Sequence, residues 1–163
     1  MSFSFSLLLI CLSSAAQEGP INSLIWNDSE YNQQPLKINY DVRVHGLPPA
    51  HSLKQFCPPV INQGTSATAV AWAAVWYGRT LLESVACAKS EQVFQNAYNG
   101  FFNHRLVADN CAKPASLTSM LISLKQTGAM KFREYREVCP DSLDGKIIES
   151  ASMHRLGGFA RLF

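Results

Sequence analysis

Charged residues are scarce in this 163-residue sequence, at 16% of the total, and neither sign is in excess, since 14 Lys and Arg stand against 12 Asp and Glu. Without a basic surplus, the composition gives no reason to expect a nucleic-acid partner. Low charge together with 47% hydrophobic residues argues against a disordered chain and against a solvated helical rod. The composition therefore indicates one ordinary globular domain.

Long apolar runs are also lacking, apart from one at residues 5–11. That run is too short for a membrane span, which needs about 20 residues. Small residues ending at Ala16 follow it, a pattern typical of a secretory signal peptide. We predict a signal peptide at residues 1–16, cleavage after Ala16 and an exported protein of about 147 residues with no membrane anchor. A buried N-terminal strand is the alternative, and a lipid anchor on Cys11 is disfavoured because no small residue precedes it.

Cysteine pairs with metal-binding spacing are absent, and the histidines are not clustered. Four cysteines remain after the signal peptide, and an even number in an oxidising compartment favours disulfides, with three possible pairings. We predict no metal site and no cofactor, and we expect each histidine to lie at the surface. The cysteines are Cys57, Cys87, Cys111 and Cys139, and the histidines are His45, His51, His104 and His154.

Hydrophobic patterning predicts a mainly α fold behind a loop-rich N-terminal third. The longest helix is expected at about 68–84, and its first turns are apolar nearly all round, which is typical of a central, buried helix. Arg79 and Glu83 are four residues apart and indicate where this helix emerges into water. In the N-terminal third, only residues 36–44 alternate as a strand does.

Three shorter helices are expected further along the chain. Ser90 is a suitable N-cap for the first, which the pair Asn99-Gly100 is expected to end. The third covers about 142–154, with Gly145 as an interruption.

The second of the three has signals at both ends. Its apolar residues recur at i, i+3, i+4 and i+7 over 117–124, which predicts an amphipathic helix. Ser116 lies in front of it as an N-cap and Gly128 lies behind it as a stop signal.

The most chemically suggestive segment is 62–73, where a glycine turn leads into the start of the central helix. Backbone N–H groups at a helix start stabilise an anion, and the Gln63 amide could add a donor. A hydroxyl nucleophile needs an adjacent base, and no His or Lys is close in sequence. We therefore expect Thr65, Ser66 and Thr68 to cap the helix, Gln63 to tie down the turn, and the two tryptophans of the helix to be core residues. Those tryptophans are Trp72 and Trp76.

This segment resembles the active-site region of papain-like cysteine peptidases, and is most similar to their secreted bacterial branch. The resemblance rests on the turn Asn62-Gln63-Gly64, on the stretch 52–59 before it, and on Trp72 in the helix after it. It covers residues 47–163 and implies the helical left lobe of an α+β papain-like fold. Residues 17–46 then form an N-terminal extension.

The resemblance implies an inactive protein. Gln63 matches the glutamine that helps to form the family's oxyanion hole, but Ala69 stands at the position of the catalytic cysteine. Ala67 and Ala71 also replace residues that are usually glycine. The family's His and Asn lie roughly 130–150 residues beyond the cysteine, whereas about 94 residues follow Ala69.

Three functions remain as expectations. The first is an exported pseudoenzyme that binds a polypeptide, or a separately encoded second lobe, through apolar surface left uncovered. The second is a decayed or incomplete cysteine-type endopeptidase whose His/Asn half is missing or separately encoded. The third is a hydrolase that uses Ser66 or Thr68. The resemblance also implies a disulfide between Cys111 and Cys139, because the family commonly ties these neighbouring loops.

Overall fold

The computed structural model describes residues 24–37, 50, 52–88 and 90–161. The predicted signal peptide, most of the strand expected at 36–44, and the residues His45 and His51 lie outside this part of the chain. The described residues are mainly helical, as predicted, and they pack around one long helix. None of their helices is long and apolar enough to cross a membrane.

The long helix covers residues 69–86 and is called the central helix below. It begins and ends within two residues of its predicted limits. Its first half buries apolar side chains, as the pattern predicts, whereas Thr80 and Ser84 are buried in its second half. Thr80 Oγ1 accepts the backbone N–H of Tyr98 at 3.1 Å and so satisfies a buried donor. The three consecutive parts of the helix are α-helical Ala69–Ala71, π-helical Trp72–Arg79 and α-helical Thr80–Ala86.

The pair Asn99-Gly100 begins a helix, so the prediction that it ends one is wrong. The predicted helix from Ser90 is replaced by a single 3₁₀ turn, Phe94–Asn96. The helix Gly100–Val107 follows, and the sequence did not predict it.

Two contacts explain this reversal. Asn99 Oδ1 accepts the N–H of Phe101 at 2.8 Å, which makes Asn99 an N-cap. Gly100 fits closely here, because a Cβ would lie 3.2 Å from the carbonyl carbon and oxygen of Ala71 in the central helix, which is tighter than most Cβ contacts. Asn and Gly are each common at either end of a helix, so tertiary packing decided their role.

The helix Leu117–Gln126 confirms the predicted amphipathic helix at both ends. Ser116 Oγ accepts the N–H of Ser119 at 3.0 Å, which is the expected N-cap bond. Gly128 follows the helix with a φ of +100°, a conformation that glycine adopts without steric cost.

The final helix is shorter than the predicted 142–154. It spans Gly145–Ala151 and continues as a 3₁₀ turn, Ser152–His154. Asp144 is its N-cap, since its Oδ1 accepts the N–H of Lys146 at 2.9 Å. Gly145, which was expected to interrupt the helix, is its first residue.

Two short elements of the N-terminal third were not predicted. The strand Leu24–Ile25 pairs in parallel with the strand Ala115–Ser116, and the helix Asp28–Asn32 follows the first of them. Leu36, at the beginning of the predicted strand, forms an isolated parallel bridge with Arg161. The N-terminal segment is thus held against elements that lie far away in sequence.

A disulfide joins Cys111 to Cys139, with their Cα atoms 5.6 Å apart, and confirms the predicted pairing. Cys57 and Cys87 are free thiols. The backbone N–H of Ala67 donates to the carbonyl oxygen of Cys111 at 2.6 Å. The disulfide is therefore linked directly to the segment that leads into the central helix.

His104 is buried, so the prediction that every histidine lies at the surface is wrong. Only 1% of His104 is exposed, and its Nε2 lies 3.2 Å from the carbonyl oxygen of Asn110. Its Nδ1 is buried without a hydrogen-bond partner in the described part of the chain. Burial lowers the pKa of His104 below its ordinary value, against smaller opposing effects of the backbone hydrogen bonds.

We predict that Gly128→Ala lowers the free energy of unfolding by roughly 2–4 kcal/mol. A Cβ at this position would lie 2.0 Å from the carbonyl oxygen of Ala151, and the positive φ adds strain. Urea unfolding followed by circular dichroism measures the change. Gly145→Ala is the matched control, because a Cβ there meets nothing within 4 Å. Equal stability of the two variants would contradict the packing described for Gly128.

We also predict that stability falls as the pH is lowered from about 6.5 to 5. The pKa of His104 is lower in the folded chain, so protonation favours unfolding, and this contribution is lost as pH falls through the folded pKa. His104→Gln keeps a donor for the Asn110 carbonyl but does not titrate. Its urea midpoint should decline less over this range than that of the wild type, and parallel declines would refute the assignment.

Candidate functional site

The turn before the central helix is closed by side chains that bond within it. Asn62 Oδ1 accepts the N–H of Gly64 at 2.8 Å, and Gly64 has a φ of +65°. Gln63 Nε2 donates to the carbonyl oxygen of Ser66 at 3.1 Å, while Ser66 Oγ donates to the carbonyl oxygen of Gln63 at 2.7 Å. Gln63 thus ties down the turn, as expected, and uses one amide N–H in doing so.

The hydroxyls of Ser66, which is half-buried, and Thr68, which is buried, form a hydrogen-bonded chain that does not cap the helix. Ser66 Oγ and Thr68 Oγ1 lie 2.7 Å apart, and Thr68 Oγ1 accepts the indole N–H of Trp72 at 3.1 Å. Thr68 occupies the N-cap position, yet its side chain bonds no backbone N–H. The expectation that these hydroxyls accept backbone N–H groups is therefore wrong for Thr68, whose oxygen accepts the indole N–H, and for Ser66, whose hydroxyl donates to the Gln63 carbonyl. Thr65 is exposed.

The first residue of the central helix is Ala69, which is half-buried. Its methyl group stands where the resemblance places a nucleophilic thiol. The two histidines of the described chain bond elsewhere: His104 contacts Asn110, and His154 Nδ1 lies 3.1 Å from the hydroxyl of Tyr98. Neither histidine is hydrogen-bonded to a hydroxyl of the turn.

Trp72 and Trp76 are core residues, which confirms that expectation. They contact each other edge to face, with ring centroids 5.5 Å apart. Trp72 also meets Phe101 at 5.0 Å, and the indole N–H of Trp76 donates to the carbonyl oxygen of Pro59 at 3.0 Å. Their polar atoms are satisfied, so these rings hold the turn and the helix together.

A surface pocket that the sequence did not reveal lies beside two phenylalanine rings that pack on Trp76. Phe94 and Phe132 both meet this ring edge to face, with centroid distances of 5.9 and 5.5 Å. The pocket has a volume of about 420 Å³ and is called the Phe94–Phe132 pocket below. No periodic signal marked it, since its two walls lie almost 40 residues apart in sequence. Its lining residues are Phe94, Gln95, Phe132, Arg133 and Arg136.

A second cluster joins opposite charges in the interior, where the sequence indicated a helix emerging into water. Lys131 is only 4% exposed and pairs with the Glu83 carboxylate. Arg79 contacts the same carboxylate at 3.3 Å, and the Tyr98 hydroxyl donates to it. Lys131 and Arg79 also lie over the Tyr98 ring, 4.0 and 4.7 Å from its centroid. The sequence offered one signal of this cluster: Lys131 lies among apolar residues at 129–132, and an ammonium group that is buried with them needs a charged partner.

The charges and hydrogen bonds of this cluster favour the ionised form of the Glu83 side chain. Burial acts to raise the pKa of Glu83, but hydrogen bonds and the charge of Lys131 outweigh burial and lower it. Burial and the Glu83 hydrogen bond raise the pKa of Tyr98 far above its ordinary value. Burial lowers the pKa of Lys131, against the opposing effect of Glu83. Every member of the cluster is engaged by another, which is the arrangement of a structural network.

Metal binding and known relatives provide no further guide. No group of three or more His, Cys, Asp or Glu within the described residues could hold a metal ion. No protein-family model, curated protein or solved structure matches this chain.

We predict that Lys131→Met lowers the free energy of unfolding by roughly 2 kcal/mol, because Glu83 loses its most buried partner and keeps only Arg79 and the Tyr98 hydroxyl. The double variant Glu83→Gln with Lys131→Met should recover part of that loss, because the amide oxygen can still accept the Tyr98 hydroxyl and Arg79 keeps its hydrogen bond to the His154 carbonyl oxygen. Lys113→Met is the control, since Lys113 pairs with Asp109 at the exposed surface, where water screens the ion pair. Equal losses at positions 113 and 131 in urea unfolding would contradict the buried pair.

Proposed function

We propose that this chain is an exported, catalytically inactive papain-like module, equivalent to the helical lobe of that family, which binds a polypeptide. The observation that carries the proposal is Ala69 at the first position of a buried helix, directly behind the turn that contains Gln63. In the family that this segment resembles, the thiolate at that position attacks the substrate carbonyl. A methyl group has no lone pair with which to do so.

The polar groups around Ala69 support the same interpretation. Gln63 and Ser66 bond each other's backbone carbonyls, and Thr68 holds the Trp72 indole. A serine or threonine nucleophile needs a base within hydrogen-bond reach. The hydrogen bonds of Ser66 and Thr68 go to the backbone, to each other and to an indole, so these hydroxyls serve the fold.

Export is supported by the disulfide. Cys111 and Cys139 form their bond between two loops of the described chain. Structural disulfides persist mainly in oxidising compartments such as the periplasm and the extracellular space. This agrees with the signal peptide that the sequence predicts at residues 1–16.

Binding is supported by apolar surface that the described chain leaves uncovered. Val60 is 88% exposed in the segment before the central helix, and Phe94 is 51% exposed beside the Phe94–Phe132 pocket. Single exposed apolar residues are ordinary, but a concave pocket with aromatic walls is a typical ligand site. A decayed endopeptidase is the second candidate, and the observation that favours it is Gln63, retained where the family has its oxyanion glutamine.

We predict that the protein lacking residues 1–16 does not hydrolyse casein or a fluorogenic peptide above the buffer rate, since Ala69 supplies no nucleophile. The assay is repeated with Ser66→Ala and Thr68→Ala. Ser90→Ala is the control, because Ser90 is an exposed hydroxyl on a distant loop. Hydrolysis that disappears in Ser66→Ala or Thr68→Ala but persists in Ser90→Ala would overturn the proposal.

A further inference from the structure

The walls of the Phe94–Phe132 pocket are fixed in place by the backbone. Tyr98 and Lys131 form an antiparallel bridge, and the N–H of Phe132 donates to the carbonyl oxygen of Ala97 at 2.8 Å. Lys131 Nζ also donates to the carbonyl oxygen of Asn96 at 3.0 Å. These bonds tie the chain on one side of the pocket to the chain on the other, so the pocket exists before any ligand arrives.

The apolar part of the pocket is suited to bind an apolar side chain of a partner. Phe94 and Phe132 offer ring surface to solvent, and the buried Trp76 supports both rings from below. The volume of about 420 Å³ lies within the range of small-molecule and side-chain pockets. One aromatic or large aliphatic side chain of a partner would fit between the rings.

The rim of the pocket is positively charged. Arg136 is exposed and has no ion-pair or hydrogen-bond partner among the described residues. Among the described residues, the ion-pair partner of Arg133 is the neighbouring Glu134, at 3.4 Å, in an exposed pair that contributes little. Two guanidinium groups beside an apolar pocket suit a carboxylate, which arginine binds with two parallel hydrogen bonds.

A polypeptide fits this combination better than a nucleic acid does. The net charge of the chain is only +2, and Glu134 and Glu137 lie in the same loop as the two arginines. Glu137 is exposed and accepts the Tyr135 hydroxyl at 3.0 Å. A phosphate backbone would meet these carboxylates, whereas a short peptide can place its charges on the arginines alone.

We propose that the Phe94–Phe132 pocket docks a polypeptide segment in which an aromatic or large aliphatic side chain is followed closely by acidic residues. The apolar side chain inserts between Phe94 and Phe132, and a carboxylate pairs with Arg136. This inference rests on the proposed function and deepens it by naming the surface and the class of partner.

The test is a selection from a phage-displayed library of random dodecapeptides against the intact protein. The expected consensus is an aromatic residue or leucine with acidic residues among the next few positions. The synthetic consensus peptide, labelled with a dye, is then titrated with each variant by fluorescence anisotropy. Arg136→Glu and Phe94→Ala should each weaken its binding about tenfold or more. Lys125→Glu is the matched charge-reversal control on the Leu117–Gln126 helix and should change binding by less than about twofold.

Any result other than the expected one overturns the inference about the pocket. The results also distinguish a failure of the pocket assignment from a failure of the proposed polypeptide-binding function. If the wild type enriches no peptide, both the pocket assignment and the polypeptide-binding function fail. If peptides bind but Arg136→Glu and Phe94→Ala leave their affinity unchanged, only the pocket assignment fails. Competition by oligodeoxythymidylate that disappears in Arg136→Glu would assign the pocket to single-stranded nucleic acid instead. A urea unfolding curve for each variant shows that it is folded.

Discussion

Gly100 lies against the backbone of Ala71, and this close approach brings the Gly100–Val107 helix onto the first turns of the central helix. The next two residues of the Gly100–Val107 helix, which point about 100° apart as in any helix, pack against different aromatic rings. Phe101 meets Trp72, with ring centroids 5.0 Å apart, whereas Phe102 meets Tyr135 at 5.9 Å. The central helix can be approached in this way because its first turns carry small side chains.

Asn99 connects that contact to the C-terminal half of the chain. Its Oδ1 caps the Gly100–Val107 helix, while its Nδ2 donates to the carbonyl oxygens of Tyr135 and Glu137 at 2.7 and 3.3 Å. Its own N–H donates to the carbonyl oxygen of Met130 at 2.8 Å. The side chain and backbone of this one buried residue thus satisfy groups at Met130, Tyr135 and Glu137 as well as the start of its own helix, which favours this arrangement over looser packings.

The sequence predicted those elements whose signals are local and agree with one another. The Leu117–Gln126 helix has its apolar period, its Ser116 cap and its glycine stop, and all were found. The central helix was predicted from its apolar run. The disulfide was expected from the family resemblance, since four cysteines by themselves allow three pairings.

What the sequence could not predict depends on contacts between distant residues. Asn99-Gly100 is compatible with either end of a helix, and only the approach to Ala71 chooses between them. Glu83 appeared to mark an exposed helix end because its partner Lys131 is 48 residues away. At the start of the helix, the sequence alone showed Ala69 in place of a cysteine. It did not predict the hydrogen bond from the Trp72 indole to the Thr68 hydroxyl.

The hydrogen bond from the Ala67 N–H to the Cys111 carbonyl oxygen connects the disulfide to a third segment, beyond the two loops that it joins. Cys139 closes the loop that carries Arg133 and Arg136, and Cys111 holds the turn before the central helix. The rim of the Phe94–Phe132 pocket and the start of the central helix are therefore connected through one covalent bond and one hydrogen bond, although they lie about 65 residues apart in sequence.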